Sequence, residues 1–191
     1  MRNQESGVKR AIQSRRAYRS LDPARLSKDD LCELEDAIQL APSCFNNQPW
    51  HYVFVTDEKK RKEMQSVLSP GNEWAQYASM YIAVCAREQD DCVIHDRKYY
   101  LFDTGLATGF LLLRATELGF VAHPIAGYSP KKTRRVLGIP DDMQVIALVI
   151  VGRHKNTIRP ELSEKQRKDE HERPGRKPIE QIVHYNQYPK G

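Results

Sequence analysis

The sequence lacks most of the features that mark a well-defined class of protein. Four cysteines occur among its 191 residues, and they form no C-x-x-C pair and have no histidine at zinc-finger spacing. No apolar run approaches the ~20 residues that cross a bilayer, and residues 1–10 have no apolar stretch of the kind found in signal peptides. These absences predict a cytoplasmic protein with free thiols, no structural metal and no membrane partner.

Motifs for hydrolytic or metal-dependent catalysis are missing as well. The six histidines are scattered, and there is no H-E-x-x-H, no G-x-S-x-G and no glycine-rich phosphate loop. The net charge is only +5, because 30 basic residues are balanced by 25 acidic ones. We therefore expect local anion sites rather than a nucleic-acid partner, and we predict neither metal ligands nor a catalytic side chain.

The hydrophobic pattern predicts a single α+β domain spanning residues 1–191. Strands are predicted at 52–55, 80–86 and 145–151, and the third is apolar on both faces and should be central. Helical segments alternate unevenly with them, so the class is α+β, or α/β, with a mostly antiparallel sheet flanked by helices. Residues 158–191 are dense in charge and predict a solvated C-terminal arm of the kind that wraps a partner subunit.

The longest predicted helix, residues 96–118, is apolar on nearly every side. Between Leu101 and Leu113 its only clearly polar residues are Asp103, Thr104 and Thr108. Such a helix must be buried on most sides, which is easiest if a second subunit supplies one wall. The sequence therefore predicts a homodimer with this helix at its interface.

Two cationic clusters and two short loops are candidates for a binding site. Arg15, Arg16 and Arg19 fall within one turn, and guanidinium groups match phosphate oxygens, although a solvated basic turn is the commoner explanation of such spacing. A second cluster, residues 173–178, has the same two explanations.

The polar loop at residues 42–50 lies between a predicted helix and a predicted strand. Its amides, Asn46 and Gln48, suit the edge of a pyrimidine-like ring, but they also suit capping of the loop's own backbone. In a second loop, Ala126 and Gly127 would let a ligand approach the backbone closely, or they form a plain turn.

Taken in order, these segments resemble the FMN-dependent nitroreductase family over about residues 8–183. The resemblance rests on the order and spacing of its pieces, which are Arg15-Arg16-Ala17-Tyr18-Arg19, Pro42-Ser43-Cys44-x-Asn46-x-Gln48-Pro49-Trp50, Asp103, Glu117-Leu118-Gly119, Pro124-Ile125-Ala126-Gly127-Tyr128 and Arg176-Lys177-Pro178. It implies a homodimer that binds one FMN in each of two interfacial clefts. NAD(P)H and a small-molecule electron acceptor would be its other partners.

The resemblance also implies a role for individual residues. The first arginine turn would hold the flavin phosphate and pyrimidine side, the 42–48 loop would reach the flavin of the other subunit, and the 126–127 amides would lie near the reactive ring. The implied FMN-binding residues are Arg15, Arg16, Ala17, Arg19, Pro42, Ser43, Cys44, Asn46, Gln48, Asn72, Ile125, Ala126, Gly127, Arg176 and Lys177.

Two departures from the family pattern are visible. Ala17 occupies a position where the family usually has serine, so one hydroxyl is lost, and the chain lacks a long insertion after residue 86, which implies an open substrate pocket. The implied activity is ping-pong transfer of hydride from NAD(P)H through FMN to a nitroaromatic, quinone or similar flat acceptor. The alternative is a protein that binds or senses flavin without turnover.

Overall fold

The computed structural model describes residues 7–189, in which six helices and seven strands form around one central sheet. The helices are Gly7–Ser14 (α1), Lys28–Gln39 (α2), Glu58–Gln65 (α3), Tyr100–Glu117 (α4), Pro130–Leu137 (α5) and Glu164–His171 (α6). The strands are Leu21–Asp22 (β1), Trp50–Val55 (β2), Met80–Ala86 (β3), Val93–Ile94 (β4), Arg97–Lys98 (β5), Val121–Ile125 (β6) and Gln144–His154 (β7).

Strand β7 is the centre of the sheet, as its two apolar faces predict. It pairs with β3, β6 and β1, and β2 completes the sheet beyond β3. Every pairing is antiparallel, while β4 and β5 form a separate hairpin. The predicted α+β class with a mostly antiparallel sheet is therefore confirmed.

The sheet separates two hydrophobic cores, because neighbouring residues of β3 and β7 point to opposite faces. Tyr81 and Ile150 belong to the core beneath α3 and α5. Ile82 and Val149 belong to the core beneath α2 and α4, which also contains Leu111. A strand that is buried on both faces gives the continuous apolar run seen in the sequence.

Helix α4 is buried on one face only within the protomer. Ala107, Leu111 and Ala115 are fully buried, whereas Phe102 is 62% exposed and Phe110 is 41% exposed. The helix begins at Tyr100 rather than near residue 96, because the β4–β5 hairpin occupies the preceding residues. No helix within residues 7–189 is long and apolar enough to cross a membrane.

Residues 121–125 form a strand that the sequence pattern did not predict. Pro124 obscures the pattern, since proline has no N–H for a ladder hydrogen bond. The strand tolerates it because, among the described residues, β6 pairs with β7 alone, which leaves its other edge without a partner strand. The Ala126–Gly127 segment therefore follows directly after the last residue of β6.

The prediction of a solvated arm from residue 158 is wrong for its first part. Ser163 caps α6 through a reciprocal capping box with Gln166, and Leu162 is 3% exposed. Glu170 is 7% exposed, so this charged helix buries one of its carboxylates. Most other charged residues of α6 lie on its solvated outer face. The described residues from 172 onward are almost all exposed.

The buried carboxylate of Glu170 fixes the chain between α1 and β1. It accepts hydrogen bonds from the backbone N–H of Arg19 at 2.6 Å and from that of Ser20 at 3.1 Å. His154 Nε2 lies 3.8 Å from the same carboxylate. Ser20 is fully buried, so its N–H has no access to water as an alternative acceptor.

Replacement of this carboxylate should destabilise the whole protein. We expect Glu170→Ala to lower the free energy of unfolding by about 2–3 kcal/mol, because two backbone donors lose their acceptor and one of them is buried. Glu170→Gln keeps one acceptor oxygen and should lose less. Urea denaturation measures both, with the exposed Glu172→Ala as control, and equal stability of Glu170→Ala and the control would contradict the assignment.

Candidate functional site

The structure brings the two cationic clusters together. The arginine turn, residues 15–19, connects α1 to β1, and the C-terminal arm crosses it. Arg173 Nη2 donates to the carbonyl of Gln13 at 2.5 Å and to that of Arg15 at 2.9 Å. Two segments that are more than 150 residues apart therefore contribute positive charge to one surface.

The electrostatics of this arginine cluster, defined as Arg15, Arg16, Arg173 and Arg176, favour an anion. Desolvation lowers the pKa of Arg15, and the charges of the other three members lower it further. Within residues 7–189, no carboxylate pairs with any of the four. Such a cluster repels itself until a multiply charged anion compensates it.

Arg16 and Arg19 are held against helix α6. Arg16 Nη2 donates to the carbonyl of Asp169 at 2.9 Å, which places a cation at the negative end of the helix dipole. The guanidinium of Arg16 also lies 4.8 Å from the centroid of the Tyr18 ring. Arg19 is the exception in the turn, because its Nη1 lies 3.7 Å from the Asp169 carboxylate. Ala17 is half-buried, and Lys177 is exposed on the arm.

The second predicted segment, Ile125–Gly127, is braced by Asn72. The carbonyl of Gly127 accepts from the backbone N–H of Ser69 at 3.0 Å and from Asn72 Nδ2 at 3.1 Å. A Cβ on residue 127 would lie 2.2 Å from Asn72 Nδ2, so a side chain at this position would displace the Asn72 amide. The N–H groups of Ala126 and Gly127 have no protein acceptor within the described chain. These two backbone N–H groups are thus available to a ligand.

The arginine turn and the Gly127 segment are linked by two contacts. His123 Nδ1 lies 3.1 Å from the carbonyl of Tyr18, which can only accept, so Nδ1 carries the proton. Burial lowers the pKa of His123 to about 4, and its ring stacks on Trp74 at 4.9 Å. Gln166 Nε2 donates to the carbonyl of Gly71, which connects α6 to the Asn72 loop.

The polar loop at residues 42–48 lies apart from this region within the protomer. Ser43 Oγ accepts from the backbone N–H of Gln48, whose own side chain donates to the carbonyl of Asn46. The side-chain amide of Gln48 therefore caps the loop's own backbone, as the alternative explanation proposed for the two amides. Pro42 and Asn46 are exposed, and no hydrogen bond or ion pair joins this loop to the arginine turn, both of which the structure describes.

The expectation of four free thiols is wrong for two of them. Cys44 forms a disulfide with Cys92 across a sequence separation of 48 residues, with a Cα–Cα distance of 6.3 Å. Only Cys32 and Cys85 are free. Because the fold, and not local spacing, brings the pair together, no motif in the sequence announces it. The Cys44 side chain is thereby engaged and can offer a ligand only its backbone.

The donors present fit the flavin nucleotide that the resemblance implies. The arginine cluster supplies several guanidiniums with no carboxylate partner, which suits a phosphate group. The amides of Ala126 and Gly127 supply N–H donors for a polar ring edge. Sequence reasoning missed one supporting residue, Glu170, because a buried carboxylate has no local signature.

Comparison with known proteins supports the family resemblance that the sequence pattern indicates. The model of the nitroreductase family matches residues 12–91 and 71–153, which together make up most of the chain. A provisionally named NADH dehydrogenase/NAD(P)H nitroreductase of Archaeoglobus fulgidus is 32% identical over 149 residues, covering 76% of this chain and 84% of the relative.

Two further similarities concern proteins whose names mention FMN. An FMN reductase [NAD(P)H] of Bacillus subtilis is 24% identical over 162 residues, covering 76% of this chain and 65% of the relative. A solved structure of an oxidoreductase containing FMN superposes with a TM-score of 0.81 at 27% identity, covering 100% of this chain and 97% of the other.

Proposed function

This chain belongs to the nitroreductase family, and from that premise we propose that it transfers electrons from NAD(P)H through FMN to a flat acceptor such as a nitroaromatic or a quinone. Family membership makes it an NAD(P)H-dependent oxidoreductase with FMN as its cofactor. The acceptor, the ping-pong order and the homodimeric state are the parts that we propose.

The observation that carries the proposal is the arginine cluster. Several like charges from opposite ends of the chain are held at one surface, with no carboxylate among the described residues to compensate them. A protein with no ligand for this cluster would gain stability from a carboxylate there. The arrangement is therefore built for an anion with several oxygens, and a flavin mononucleotide presents one as its phosphate.

When bound, FMN supplies two-electron redox chemistry that amino-acid side chains do not have. The residues of this chain would bind and orient it. Arg15, Arg16 and Arg176 would hold the phosphate, with Lys177 as a further cation, and Arg19 would face the pyrimidine side. The amides of Ala126 and Gly127 would donate to the polar edge of the ring, and Asn72 would keep their peptide groups in place.

The first test concerns the phosphate group and does not depend on the identity of the electron acceptor. We expect Arg15→Ala to weaken FMN binding by about 1.5–3 kcal/mol, the scale of a hydrogen bond to a charged group. Arg135→Ala is the matched control, because Arg135 is exposed on α5 and makes no ion pair within residues 7–189. Fluorescence titration with FMN measures both variants. Equal affinities of Arg15→Ala and Arg135→Ala would contradict the role of Arg15.

The second test separates an enzyme from a protein that only binds flavin. Anaerobic addition of NADH or NADPH to the FMN-loaded protein should bleach the flavin absorbance band, and addition of a nitroaromatic or quinone should restore it. Initial rates at several concentrations of both substrates should give parallel double-reciprocal lines. A protein whose flavin no nicotinamide bleaches would instead be a flavin-binding or flavin-sensing protein.

The exposed apolar surface of α1 and α4 supports the homodimer. Val8 is 66% exposed, Ile12 is 55% exposed and Phe102 is 62% exposed. An apolar groove of about 270 Å³ lies beside them and is lined partly by Ala11 and Phe110. A patch of this kind on two neighbouring helices is typical of a subunit interface. The 42–48 loop, which lies apart from the arginine cluster of its own protomer, would then serve the site of its partner.

Sedimentation velocity tests the dimer directly. The wild type should sediment with twice the chain mass of 22.1 kDa at micromolar concentration. Phe102→Glu should shift it toward the single chain, because the new charge would be buried without a partner. Lys132→Glu is the control, since it introduces the same residue on α5, which packs on the opposite face of the sheet. A wild type that sediments as a single chain would contradict the proposal.

A further inference from the structure

The polar loop at residues 42–48 has a backbone that its own contacts do not explain. Phe45, Asn46 and Gln48 have positive φ angles of 48°, 60° and 51°. A bulky residue such as phenylalanine avoids this region, and Phe45 is 85% exposed, so packing does not hold it there. Inside the loop, only short-range hydrogen bonds such as that from the Gln48 N–H to Ser43 Oγ support the conformation. The loop therefore depends on attachments to other parts of the chain.

Three attachments are present, and two of them lead to one short segment. The Cys44–Cys92 disulfide is the first, and a hydrogen bond of 3.3 Å from Asn47 Nδ2 to Asp91 Oδ1 is the second. The third is a hydrogen bond of 2.6 Å from the backbone N–H of Cys44 to Asp103 Oδ2 on α4. The covalent bond is the strongest of the three and joins the loop to residues adjacent to the β4–β5 hairpin.

The segment that carries Cys92 is itself attached by surface contacts. It runs through a short 3₁₀ turn, Glu88–Asp90, into a hairpin whose strands have two residues each. Ion pairs at 2.9 Å join Arg87 to Asp142 and Lys98 to Glu88. Both carboxylates are exposed to solvent, and pairs that water screens in this way contribute little stability. A segment of this kind moves readily once the covalent link opens.

We propose that the Cys44–Cys92 disulfide is a reversible redox site that holds the 42–48 loop in its binding shape, so that reduction of the bond weakens FMN binding. This inference rests on the proposed function, in which the loop contacts the FMN held by the partner. Both cysteines are half-buried, which gives a small dithiol access to the bond.

The chemistry balances with a dithiol as the reductant. One thiolate of the dithiol attacks a sulfur of the protein disulfide, and its second thiol then displaces the resulting mixed disulfide. The protein S–S bond breaks, Cys44 and Cys92 become thiols, and the dithiol becomes a cyclic disulfide. Two electrons and two protons pass from the dithiol to the protein.

The first measurement defines the bond without FMN. The full-length protein is equilibrated with mixtures of reduced and oxidised dithiothreitol, alkylated and analysed by mass spectrometry. Cys44 and Cys92 should become alkylated together in one two-electron transition. Cys32, which is exposed and free, should react at every potential and serves as the internal reference. Failure of the pair to alkylate under native conditions at any dithiothreitol ratio would overturn reversibility.

The second measurement follows the loop. Hydrogen–deuterium exchange of the amides at 44–48 should become about tenfold faster on reduction, because their hydrogen bonds open with the loop. Cys92→Ser should exchange at the fast rate without reductant, whereas Cys32→Ser should behave as the wild type. A chelator in all buffers keeps metal ions from the reduced Cys44, Asp91 and Cys92, whose ligand atoms lie within 4.8 Å of one another. Unchanged exchange on reduction would overturn the proposal.

The third measurement links the loop to the cofactor. The dissociation constant of FMN should rise about fivefold or more on reduction of the wild type and of Cys32→Ser. Cys92→Ser should have the weaker affinity in both conditions. If FMN binds equally well before and after reduction, the redox site does not control the cofactor. If FMN binds in neither state, the proposed function fails, and the exchange data alone decide whether the disulfide sets the shape of the loop.

Discussion

The structure depends on like charges that are kept together at the end of α1. Desolvation lowers the pKa of Arg15, and the charges of Arg173, Arg176 and Arg16 lower it further. Repulsion of this kind pushes the two segments apart. The buried carboxylate of Glu170 opposes this repulsion, because it accepts hydrogen bonds from the backbone of the arginine turn. Within residues 7–189, the guanidiniums of the cluster are left without a carboxylate partner. Hydrogen bonds to the backbone thus hold the cationic surface together. Ion pairs between side chains would have neutralised its charge.

The two faces of the sheet differ in role. On one face, α5 and the Asn72 loop close the core and position the Gly127 peptide. On the other, α4 covers the sheet with its buried stripe and leaves Phe102 and Phe110 facing outward. One side of the molecule therefore completes its own packing, whereas the other has apolar surface that a second subunit would bury.

The regular elements were predictable because their signals are local. The apolar runs of β3 and β7 depend on neighbours within a few residues. Strand β6 was missed because Pro124 contradicts strand chemistry unless the strand has only one partner. The sequence did not predict that α6 packs against the core, because one buried residue, Glu170, does not change the charged composition of the helix. The disulfide joins residues 48 positions apart, so only the fold reveals it.

The two halves of the candidate site consequently have different physical characters. The arginine half is fixed by hydrogen bonds between backbone and buried side chains, which persist in any redox environment. The loop half has a backbone that is unfavourable for Phe45 and is held chiefly by one covalent bond that dithiols break. In the homodimer that we propose, FMN would contact both halves, and its affinity would follow the less stable one. Changes in the thiol–disulfide balance would then act on this protein through loop geometry, with no change in the arginine cluster.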